Sequence, residues 1–126
     1  MSKEVIDVGL PPLKQPFSWA VKAPLHHSSM LFTAHGPVRP DGSIATGSVS
    51  EQARLTFTNL RQAVHAAGGT MADVTQVLIY MTEVQDMAAI DAVYREFFEP
   101  PYPNRSSAAV AALVVPGMKL EIVAYA

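Results

Sequence analysis

Arg105 and Glu121 are the residues in this sequence whose type and setting best suit chemistry. No other charge occurs from Ser106 to Val115, and Ser106, Ser107, Ala108 and Ala109 leave room beside the arginine. A planar guanidinium in such a place can hold a carboxylate through two parallel hydrogen bonds. Glu121 sits between Leu120 and Ile122, a setting suited to a general base or to a group that orients water. Both residues also fit plainer roles. Arg105 suits an intramolecular ion pair or a surface cation. Glu121 suits the outward face of an edge strand, where a charge discourages aggregation. Spacing alone leaves these alternatives open.

The elements around them follow from periodicity. Pro116-Gly117 turns the chain, and Lys119 to Tyr125 reads as a last strand. Its alternation puts Leu120, Ile122 and Ala124 on one face and Glu121, Val123 and Tyr125 on the other. Ser48 and Glu51 have capping-box spacing, and Ala53, Phe57, Leu60, Val64 and Ala67 then mark one face of a helix closed by Gly68-Gly69. Thr70 to Asp73 suits a single turn. Val74 to Met81 reads as a strand that is apolar on both faces. A second helix runs from Met87 to Phe98 with Ile90, Tyr94 and Phe97 together, and Pro100-Pro101 stops it. Upstream, strands are expected at Val5–Val8, Ser18–Lys22 and Met30–Ala34. Another is expected at Ser43–Thr46, after the Asp41-Gly42 turn. The order predicts one α+β domain over residues 1–126, a mixed sheet with two helices on one face and right-handed crossovers. Two helices cover one face only, so a second copy of the chain is the simplest cover for the other.

Composition removes several function classes. There is no cysteine, so disulfides, thiolate nucleophiles and zinc–thiolate sites are excluded. Nine Lys and Arg are scattered among eleven Asp and Glu, which favours neither nucleic acid nor a membrane surface as partner. No signal-peptide core follows Lys3-Glu4, and the apolar run Ala108–Val115 is too short to span a bilayer. The sequence reads as soluble and cytoplasmic. Adjacent His26 and His27 are expected to project apart, His65 to lie at a solvated helix edge, and His35 to stand on a pocket rim. No ligand spacing occurs among them, so no metal is expected. P-loop, GxGxxG and GxSxG patterns are absent from the sequence.

Over nearly its whole length the chain resembles the RidA (YjgF, endoribonuclease L-PSP-like) family. The matching pieces are Pro16-Phe17-Ser18 with Ala20-Val21, Leu31-Phe32-Thr33, Gly36-Pro37, Glu51-Gln52, Asn59-Leu60, Ala66-Ala67-Gly68 and Asp73-Val74. Tyr94, Phe97-Phe98, Arg105-Ser106 and Leu120-Glu121-Ile122 with Ala124 complete them in order. The resemblance implies a chorismate-mutase-like fold and a homotrimer with sites between subunits. It also implies cofactor-free hydrolysis of enamines and imines to keto acids and ammonia. By that analogy Arg105 binds the substrate carboxylate and Glu121 positions the attacking water. Phe17, Thr33, His35, Asp91 and Ser107 would shape the pocket, and they depart from the family's usual residues. Tyrosine often stands at Phe17, Ser-Gly-Gln at the Thr33–His35 turn, asparagine at Asp91 and cysteine at Ser107. These departures bear on substrate identity, the smallest enamines above all. Two other readings remain open at this point: a non-catalytic trimer that binds small carboxylates, and an interaction protein acting through its surface.

Overall fold

The computed structural model describes residues 3–14 and 16–126. The first helix, α1, spans Val49–Ala66 and starts as its cap directs, with the Glu51 N–H donating to Ser48 Oγ at 3.2 Å. Ala53, Phe57, Leu60 and Val64 are buried along one side. The chain leaves the helix through Gly68 at φ +93°, and the N–H groups of Gly68 and Gly69 return to the carbonyls of His65 and Val64. That double closure requires left-handed backbone, which glycine supplies without strain. The second helix, α2, spans Met87–Phe97 and buries Ile90, Val93 and Tyr94.

The strands are β1 (Glu4–Val5), β2 (Ala20–Pro24), β3 (Ser29–His35), β4 (Gln76–Met81), β5 (Asn104–Ala109) and β6 (Leu120–Tyr125). They form a mixed sheet in the order β1-β2-β3-β6-β4-β5. Only β4 and β5 pair in parallel, joined through α2. The last strand therefore inserts at the middle of the sheet, between β3 and β4. Val77, Ile79 and Met81 of β4 and Leu120, Ile122 and Ala124 of β6 are buried in one core with the inner faces of α1 and α2. This is the expected α+β architecture. The opposite face carries Phe32, Leu78, Tyr80, Val123 and Tyr125, all partly or well exposed in the single chain.

Several local expectations change. The strand expected at Val5–Val8 pairs only through Glu4 and Val5, and Val8 instead turns into the core. The segment expected as a strand at Ser43–Thr46 keeps one isolated bridge, Val38 to Ile44. There the Ser43 N–H and hydroxyl both donate to Asp41 Oδ1, and the Arg39 N–H donates to the Ser43 carbonyl, so local bonds replace a ladder. The apolar run after Arg105 is not buried. Strand β5 is a sheet edge with Ser106 to Ala109 exposed, and Val114 is 92% exposed. Glu121, conversely, is not on an edge, so the aggregation-guard role does not apply to it. The His26 and His27 rings, expected to diverge, lie with centroids 4.0 Å apart.

Two buried amides on α1 tie the site-bearing loops to the core. Gln52 is fully buried. Its Nε2 donates to the Gly117 carbonyl at 2.9 Å and its Oε1 accepts from the Lys119 N–H at 2.8 Å, pinning the turn that feeds β6. Asn59 Nδ2 donates to the carbonyls of Gly36 at 3.2 Å and Val38 at 2.8 Å, pinning the chain that leaves β3. Replacing Gln52 with leucine removes both bonds, whose partners Gly117 and Lys119 are exposed residues, at about 0.5–1.5 kcal/mol for each bond lost. Urea denaturation should show Gln52→Leu destabilised by about 1–3 kcal/mol. A variant as stable as the parent would refute the clamp.

Candidate active site

Strand alternation places Arg105 and Glu121 on opposite faces of the sheet. Arg105 is in register with buried Val77, so it points to the helix side, whereas Glu121 is in register with Tyr80 on the open side. Strand β4 lies between their strands, and their levels differ by three residues. Their backbones are thus roughly 14 Å apart on ordinary sheet spacings, with side chains diverging. One chain does not bring the two together on a small molecule. It holds two half-sites.

The first half-site is built where β5 meets α2. Asp91 Oδ1 lies 2.7 Å from Arg105 Nη1, and the Arg105 Cζ lies 4.9 Å from the Tyr94 ring centroid. Asp91, Tyr94, Tyr102 and Arg105 line a cleft of about 220 Å³. Burial pushes the Tyr94 hydroxyl up to about 12, against the lowering effect of Arg105. The hydroxyl is therefore a proton donor at neutral pH, and it has no hydrogen-bond partner among the described residues. Ser107 lies two residues along β5 on the same face as Arg105 and is exposed. The ion pair that was one plain reading of Arg105 does exist, with Asp91 as its partner. It coexists with an open cleft, since each side chain keeps about a quarter of its surface exposed.

The second half-site surrounds Glu121. A cavity of about 330 Å³ is lined by Phe17, Trp19, His35, Val115, Met118 and Glu121, among others. Its walls are largely apolar, and burial raises the Glu121 pKa above the ordinary glutamate value. A carboxyl group moved in that direction is a better proton acceptor once ionised. Phe17 stands half exposed at the mouth with its ring edge-on to Trp19 at 4.9 Å.

Thr33 and His35 are placed more deeply than a pocket rim implies. Both are buried, His35 at 1% exposure. The Thr33 hydroxyl donates to the Trp19 carbonyl at 2.8 Å. It must then accept from His35 Nε2–H at 2.7 Å, which leaves Nδ1 as an unpartnered acceptor. The Trp19 ring lies parallel to the imidazole, with centroids 6.1 Å apart. His35 and Trp19 line the Glu121 cavity, and Thr33, in register with buried Ala124, holds the imidazole from the core side. Gln52 and Asn59, whose amides hold the flanking loops, went unassigned in the sequence. The available signal was an uncharged amide inside the apolar stripe of a helix, which must find partners if it is buried.

Known proteins bear on this arrangement. The family model described as Endoribonuclease L-PSP matches residues 11–126. The mitochondrial protein mmf2 of Schizosaccharomyces pombe is 31% identical over 109 residues, 85% of this chain and 83% of its own. The 2-iminobutanoate/2-iminopropanoate deaminase of Dermatophagoides farinae is 40% identical over 70 residues, 56% of this chain and 55% of its own. Escherichia coli TdcF, solved with bound serine, has a similar structure with TM-score 0.83 and 34% identity, covering 98% of this chain and 97% of that one. RidA from the Antarctic bacterium Psychrobacter sp. PAMC 21119 has TM-score 0.86 at 26% identity, covering 97% of each chain.

His35 gives this half-site a pH signature. Burial lowers its pKa from 6.5 to about 4. The folded protein keeps the ring neutral while the unfolded chain protonates it near 6.5, so the unfolded state binds more protons between those values. The stability contribution is complete above that window and is lost as pH falls through it, to a limit of roughly 3 kcal/mol at about 1.4 kcal/mol per pH unit. Urea unfolding between pH 7.5 and pH 4 should show a shallower loss of stability for His35→Gln than for the parent. Equal slopes would refute the assignment.

Proposed function

Because the chain belongs to the endoribonuclease L-PSP (RidA) family, we propose that it hydrolyses small imines or enamines carrying a carboxylate, releasing a keto acid and ammonia. The catalytic site is assembled from the Arg105 half of one copy and the Glu121 half of another. The observation that carries this reading is the opposed orientation of the two residues. A carboxylate grip and a proton acceptor that diverge within one chain can converge only across an interface. The open sheet face bearing Phe32, Leu78, Tyr80, Val123 and Tyr125 supplies apolar surface for such contact. A homotrimer is the assembly that the resemblance implies. A deaminase of 2-imino acids among the relatives and serine bound to TdcF support a small carboxylate as the ligand.

In this mechanism Arg105 fixes the substrate carboxylate by charge-assisted hydrogen bonds and so sets the imine carbon in the cavity. Glu121, ionised, takes a proton from the water as its oxygen bonds to that carbon. The resulting carbinolamine collapses when the C–N bond breaks. Starting from the protonated imine, the nitrogen receives the proton that Glu121 holds and leaves as ammonia. The hydroxyl gives its proton to the freed Glu121 carboxylate and becomes the C=O of the keto acid. The apolar walls around Glu121 limit competing water and keep its basicity up. A small cleft with Arg95 and Arg105 around an aspartate is a poor match for a polyphosphate backbone, which is why a small acid is favoured over RNA as substrate.

The test is ammonia release from imines generated in situ by an amino-acid oxidase. Glu121→Gln should lower kcat by about 10²–10⁴ while a keto acid still binds. Arg105→Ala should abolish that binding. Light scattering should find three chains per particle. Equal mixing of the two inactive variants by unfolding and reassembly should restore about a quarter of parental activity, because half of each contributing surface is intact. Two variants that stay inactive when their subunits have demonstrably mixed would refute a site shared between copies.

A further inference from the structure

We propose that Asp91 makes the Arg105 cleft selective for ligands that carry a cationic nitrogen beside their carboxylate, so that a protonated imino acid is held more tightly than the keto-acid product. This inference rests on the carboxylate-binding role of Arg105. The ion pair is incomplete as built. Asp91 Oδ1 is buried 2.7 Å from Arg105 Nη1, whereas no hydrogen bond occupies Oδ2 among the described residues, and the Asp91 side chain keeps about a quarter of its surface exposed on the cleft. No side-chain hydrogen bond occupies the other guanidinium nitrogens among the described residues, so an edge of the fork is free to receive a carboxylate. Neither side chain is sealed from the cleft.

A ligand bearing only a carboxylate meets an arginine whose charge is already offset, and a second carboxylate that repels it. An iminium or ammonium acid answers both groups. Its carboxylate takes the free edge of Arg105, and its N–H, one carbon away, reaches Asp91 Oδ2. Hydrolysis removes that nitrogen. The product then keeps the group that Arg105 attracts and loses the group that Asp91 attracts, and the cleft favours its departure. Arg95 also lines the cleft. If its charge neutralised Asp91, the discrimination would vanish, and the experiment detects this.

L-alanine and pyruvate share a carbon skeleton and a carboxylate, and differ in carrying an ammonium or a carbonyl. Calorimetric titration of the assembled parent protein should show alanine bound at least about tenfold more tightly than pyruvate. Asp91→Asn and Asp91→Ser should each shift that ratio towards pyruvate by about tenfold or more. A ratio unchanged in both variants, with binding still lost in Arg105→Ala, would overturn the role of Asp91 and leave the carboxylate grip intact. Binding that survives Arg105→Ala, or no binding of either ligand to the parent, would overturn both.

Discussion

Successive residues of a strand face opposite sides of the sheet, and the function of this chain turns on that constraint. Arg105 is in register with Val77 and Glu121 with Tyr80, three positions apart on β4 and so on opposite faces. No rotamer change brings the two together. The fold therefore presents a guanidinium on its helix side and a carboxyl group on its open side, the groups proposed to grip the substrate and to accept a proton. Each half is surrounded by groups suited to its task. Only a geometry that sets one copy's helix side against another's open side would unite them.

The scaffold holds these halves with unequal firmness. Glu121 lies on the most enclosed strand, flanked by β3 and β4, and the turn before it is tied to α1 by both ends of the Gln52 amide. Asn59, two turns further along the same helix face, ties down the exit from β3. Buried amides are expensive without partners, so the four bonds specify one loop arrangement as well as adding stability. Arg105 sits on an edge strand with exposed neighbours. Its position comes from Asp91 and the Tyr94 ring on α2. A precise acid and a more accessible cation suit a site that must open to admit a ligand and release a product.

Electrostatics follow the same division. The Glu121 cavity is apolar, and desolvation favours its protonated form, which raises its basicity when it ionises. Behind it a neutral His35, tautomer set by Thr33, completes a floor without adding charge. The Arg105 cleft is polar, with a carboxylate, a guanidinium and a buried phenol within one small volume. The two environments push their groups towards different work. That is the pattern by which one protein separates binding from proton transfer.

Much of the fold is legible locally. The Ser48 cap, the Gly68-Gly69 stop and the period of Ala53, Phe57, Leu60 and Val64 define α1, and short apolar runs of strand length mark β4 and β6, because these signals involve neighbours in the chain. Arg105 and Glu121 stand out by charge in apolar surroundings, and the expected ordering of helices and strands holds. What the sequence alone determined was therefore the type of most elements and the buried faces of α1, β4 and β6, and it singled out Arg105 and Glu121 as the candidate pair. Only the tertiary structure decided that β6 enters the middle of the sheet and that β5 is its exposed edge. It alone showed that Asp91 reaches Arg105 and that Gln52 reaches across 65 residues to Gly117. Strand order and long-range partners depend on which surfaces meet once the chain has folded back on itself. Periodicity records which way a side chain faces, but not what it faces.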